Sequence, residues 1–96
     1  MILRICDDGR EHLEPASAER VAAVLGPDAA LPDGTEITVA EGDRWLTAVA
    51  VGEPGSAGEL LMSGADGEKA TFSGTATRAE AIRLFREFMA SRESLR

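Results

Sequence analysis

Between Thr35 and Ser73 the chain consists of short runs whose apolar residues recur at every second position, joined by connections too tight to hold a helix. Thr35, Ile37 and Val39 alternate with Glu36 and Thr38, Glu41-Gly42-Asp43 turns the chain, and Arg44 to Val51 is the longest β-prone run. Strands that follow one another this closely pair antiparallel, because a parallel neighbour needs a crossover of a dozen or more residues. A doubly wound nucleotide-binding fold is therefore excluded, and the pattern predicts an α+β domain with an antiparallel sheet.

The rest of the chain fills out that sheet. Along Arg44 to Val51, Trp45, Thr47, Val49 and Val51 face one way and Leu46, Ala48 and Ala50 the other, so both faces are apolar and a central strand is expected. A Gly/Pro/Ser-rich loop, Gly52 to Gly58, leads to a strand at Glu59 to Ser63, a turn at Gly64-Ala65-Asp66-Gly67 and a strand at Glu68 to Ser73. At the other end, Met1 to Cys6 alternates as a first strand, and Asp8-Gly9 suits a tight hairpin turn returning through Arg10 to Leu13.

Two segments switch to helical spacing. Ala18, Val21, Ala22 and Leu25 share a face of a short helix over Ala16 to Leu25, bounded by Pro15 and Ser17 before and by Gly26-Pro27 after, with a loop from Pro27 to Gly34. Thr77 and Glu80 stand at capping-box spacing ahead of a last helix whose Ala81, Leu84, Phe85 and Phe88 make an apolar stripe. The expected architecture is an antiparallel sheet of about five to six strands, the C-terminal helix packed on one face, and the short helix after the first hairpin lying near an edge. Ninety-six residues leave room for a single domain, 1–96.

Charge narrows the partners. The formal net charge is −7; residues 1–68 carry fourteen acids and four bases, whereas residues 69–96 carry three acids and six bases. An acidic body opposes the counterion displacement on which nucleic-acid binding depends, so no nucleic-acid partner is expected, and a basic protein fits better. No apolar run reaches the ~20 residues needed to cross a bilayer, so no membrane partner is expected either. One cysteine and no leader-like N-terminus make the cytoplasm the expected compartment.

Residues with reactive chemistry are few. His12 is the only histidine; Glu14 shares its face of the hairpin, but no nucleophile is specified beside them, so no catalytic residue is assigned and no enzyme is expected. One Cys and one His cannot build a structural zinc site, and the acidic turns lack calcium-loop spacing, so neither metal nor cofactor is expected. Gly52 to Gly58 lacks the Gly-Lys-Ser/Thr ending of a phosphate loop and leads into a strand. Cys6 has acidic neighbours rather than the cation that a reactive thiolate needs. Trp45 serves either to cover the core or to anchor an interface. The arginines of the last helix read as a solvated face.

Arg44-Trp45-Leu46, the Gly-rich turn, the Phe72 strand and the helix Ala79-Glu80-Ala81-Ile82-Arg83-Leu84-Phe85-Arg86-Glu87-Phe88 together resemble the immunity proteins that accompany bacterial polymorphic toxins. The resemblance implies a non-catalytic cytoplasmic protein that neutralises a cognate toxin by covering a site needed for its action. A basic toxin would complement the acidic body, with Asp7, Asp8, Glu11 and Trp45 as the candidate protein-binding residues. The alternative is a small homodimeric ligand-binding domain, motivated by the two apolar faces of Arg44 to Val51.

Overall fold

A computed structural model of the chain describes residues 1–7, 9–26, 34–50, 60–67 and 69–94, with the side chains at 71, 72 and 91–94 outside that description. The elements in chain order are β1 (Ile2–Asp7), β2 (Arg10–Pro15), α1 (Ala18–Leu25), β3 (Glu36–Glu41), β4 (Arg44–Ala50), β5 (Leu60–Asp66), β6 (Lys69–Ala76) and α2 (Arg78–Ser94). Among the described residues six strands form one sheet in the order β2-β1-β3-β4-β5-β6, and every neighbouring pair is antiparallel. The α+β class and the C-terminal helix on one face are as the sequence predicts, and β4 is an interior strand.

The connections follow local chemistry. Gly9 and Gly42 take φ of +80° and +59° at the β1–β2 and β3–β4 turns, a region that costs glycine nothing. Ser17 caps α1: its backbone is extended and its Oγ accepts from the Arg20 N–H at 3.1 Å. The helix stops at Gly26, where a Cβ would stand 2.9 Å from the Ala22 carbonyl oxygen. Arg78 at the start of α2 donates to the Gly26 carbonyl at 2.8 Å, so one helix end holds the other. At the α2 cap, Thr77 Oγ1 accepts from the Glu80 N–H and donates to Glu80 Oε1, both at 3.2 Å.

Three expected boundaries are corrected. Gly64 to Asp66 is not a turn: β5 runs through it, because β4 extends to Arg44 and its backbone groups there need partners. The chain reverses at Gly67, with φ +65°, and β6 continues beyond Ser73 to Ala76 so that Leu60 to Met62 are paired on both sides. The second strand likewise runs to Pro15 rather than Leu13, because β1 offers Ile2 and Leu3 as partners. The loops expected at Pro27 to Gly34 and Gly52 to Gly58 fall, apart from Gly34, outside the described residues.

Both helices lie on one side of the sheet. Leu3, Ile37, Val39, Leu46, Ala48, Ala50, Leu60, Met62 and Ala76 from the strands meet Val21 and Leu25 of α1 and Ala81 and Phe85 of α2 in a single buried cluster. Phe85, Leu3, Leu25, Ile37, Val21 and Val39 are almost wholly enclosed. Side chains of this kind contribute about 1.5–3 kcal/mol each on burial, which is how a domain of this size holds together. Among the described residues, nothing covers the opposite face of the sheet.

Candidate functional site: the helix-free sheet face

Cross-strand register assembles the uncovered face into three rows. The first runs Pro15, Ile2, Ala40, Trp45, Ala65, Ala70 and is apolar across all six strands. The second, Leu13, Arg4, Thr38, Thr47, Ser63, Ser73, is mostly hydroxyl-bearing, with Thr38 Oγ1 and Thr47 Oγ1 hydrogen-bonded at 2.9 Å. The third runs Glu11, Cys6, Glu36, Val49, Leu61, Thr75.

Among the described side chains, all four exposed large apolar residues, Ile2 (49%), Leu13 (56%), Trp45 (37%) and Leu61 (49%), belong to this face. Only three of its eighteen residues are charged, against 28% of the chain. Two of those three cancel, because Arg4 Nε donates to Glu11 Oε2 at 2.8 Å. Apolar side chains standing in solvent while charge is depleted around them is the composition of an interface core.

The expected site residues are dispersed. Trp45 is on this face and outside the helix-covered core, with Ala40 and Ala65 beside it. Glu11 shares the face but lies three strands and two rows away, about 20 Å by strand spacing and rise. Asp7 alternates to the helix side, in register with Arg10. Asp8 is outside the described residues. Asp7 and Glu11 thus do not form a common acidic patch. Ile2, Leu13 and Leu61 carry no signal in the sequence, because each is unremarkable alone; only pairing between strands brings them together.

The other candidate chemistry sits on the helix side of the β2 edge. His12 Nε2 stands 3.7 Å from Glu14 Oε2, while Arg20 Nε donates to Glu14 Oε1 at 2.6 Å. The Arg20 hydrogen bond holds the Glu14 carboxyl below its ordinary range, with smaller help from its charge and from His12. A carboxylate tied to arginine in this way is a poor proton acceptor, and Ser17, the nearest hydroxyl in sequence, is engaged in capping α1. Cys6 is flanked in register by Glu11 and Glu36. No group of three His, Cys, Asp or Glu among the described residues could hold a metal ion. No helix among them is long and apolar enough to cross a membrane. A groove of about 460 Å³ between α1 and α2 is bordered by Ala18, Arg86, Glu87, Met89 and Ala90. It is open and brings together no set of convergent polar groups.

Comparison of the chain with models of protein families, with curated proteins and with solved structures finds no match.

Proposed function

We propose that the protein is a non-catalytic binding module that recognises another protein through the helix-free sheet face. One observation carries this reading: all four exposed large apolar residues among the described side chains stand on that face. Strand spacing and rise give the face a projected area of roughly 500 Å². That is below the ~800 Å² each partner contributes to a standard interface, and the side chains that stand up from the sheet add accessible area to it. Trp45, beside small alanines, supplies the rigid aromatic anchor that such interfaces favour.

The resemblance to immunity proteins makes a toxin the partner of first choice. Charge and face then divide the work: the net charge of −7 steers a basic partner toward the molecule, and the near-neutral face holds it. The division supplies a test. The immobilised protein, a Trp45→Glu/Leu61→Ser variant and an Arg20→Ala control are exposed to the source cytoplasm at low and moderate salt. A partner held by wild type and control at both salts but lost by the face variant is the expected result. A partner that the face variant retains, or none at either salt, overturns the proposal.

A further inference from the structure

The two edges of the sheet are built differently, and we infer that the β6 edge is a pairing surface for a second copy of this chain. An edge strand offers a row of unpaired N–H and C=O groups, which proteins blunt with charge, proline or distortion. On β2 the protection is dense: Arg10, Glu11, His12 and Glu14 fall within its six residues, and Pro15 lacks an N–H. β6 carries one charge, Lys69, at its first residue, and none from Ala70 to Ala76. A bulge shifts its register between the Ala65 and Gly64 pairings, but Phe72 to Ala76 then runs unbroken opposite Gly64 to Leu60. Ser73, Gly74 and Thr75 are exposed, and no strand among the described residues lies on the outer side of β6.

The occupant follows from charge. Elsewhere an acidic chain of net −7 repels its own copy. Along Ala70 to Ala76, antiparallel pairing about a two-fold axis places no charge opposite its like, and the small side chains at 73 to 75 let backbones approach while Ser and Thr gain cross-strand partners. Centred near Ser73, the contact joins two sheets into one of twelve strands, shares Ser73 and Thr75 at the margin of the helix-free face, and leaves the apolar residues of that face uncovered. One strand pairing buries little surface, so the dimer is weak, dissociating in the micromolar to sub-millimolar range.

Sedimentation of the full chain across that range tests the inference. The expected result is a concentration-dependent dimer whose dissociation constant rises at least about tenfold in Ser73→Lys, where the two lysines meet at the axis, rises also in Thr75→Lys, which puts a charge into the pairing opposite position 71 of the copy, and is unchanged in Leu61→Ser. A chain that stays monomeric throughout, a dimer that survives both lysines, or one lost only in Leu61→Ser overturns it. Should the lysine variants fail to fold, amide exchange of the wild type decides: slowing at residues 72–76 as concentration rises supports the pairing, and its absence refutes it.

Discussion

Arg44, the first residue of β4, reaches across the core to Phe88 of α2, donating from Nη2 to its carbonyl oxygen at 3.0 Å while the guanidinium carbon lies 4.7 Å from the centre of its ring. The contact fastens the C-terminal half of the helix to the end of the sheet where the β3–β4 and β5–β6 turns meet. There the Gly67 N–H also donates to the Asp43 carbonyl at 3.0 Å. Arg44→Ala is expected to lower stability by about 1–3 kcal/mol, since a charge-assisted hydrogen bond and a cation–π contact go together. Arg44→Lys should recover only part of that, lacking the planar fork. Denaturant titration reads both as a shift of midpoint at constant slope.

Phe85 is wholly enclosed between the helices and the sheet. Its replacement by alanine is expected to cost about 3–5 kcal/mol, close to the whole stability of many domains of this size. A largely unfolded far-ultraviolet dichroism spectrum, or a melting transition displaced to low temperature, is the anticipated outcome.

Glu14 makes the β2–α1 contact pH-dependent. Its carboxyl titrates below the ordinary range in the folded protein, chiefly through the Arg20 hydrogen bond. Its contribution to stability is thus complete above the unfolded-state value and disappears as pH falls through the folded-state value. In Arg20→Ala the Glu14 midpoint, followed by carboxyl NMR shifts, should rise toward that of a free glutamate. The stability difference between variant and wild type should narrow toward the acid end.

Leu13 and Leu61 stand half out of the fold on the helix-free face. Substituting either by serine should change stability by less than about 1 kcal/mol, because little apolar contact is lost. The same changes should abolish partner retention. A loss of stability as large as that of Phe85→Ala would show that these residues belong to the core instead.

Thr77 supplies the hydroxyl that accepts from the Glu80 N–H. Thr77→Ala is expected to cost about 1 kcal/mol, seen as a lower melting temperature with helix content otherwise retained.

Much of the fold is legible in local chemistry: glycine at the turns, Ser17 and Thr77 at the caps, alternation along β4. Strand ends are not, because Gly64-Ala65-Asp66-Gly67 has turn composition, and only the reach of β4 to Arg44 draws it into the ladder. The binding face is harder still. Alternation sorts the residues of one strand into two sets without saying which set the helices cover, and on β4 both sets are apolar. Asp7 and Glu11 show the same limit. They stand only four residues apart, yet the β1–β2 turn pairs Asp7 with Arg10 and Cys6 with Glu11, sending the two carboxylates to opposite sides of the sheet.

The order in which the elements leave the ribosome bears on how the chain survives its own synthesis. Phe85 belongs to α2, the last of the eight described elements, and the helix's seventeen residues follow all six described strands. At roughly 5–20 residues per second that helix takes about one to three seconds to emerge. Until then, a sheet already complete has no lid over Leu46, Ala48 and Met62, and its other face carries Ile2, Trp45 and Leu61. A sheet without α2 is thus apolar on both sides, and only the arrival of that helix leaves it with a single sticky face.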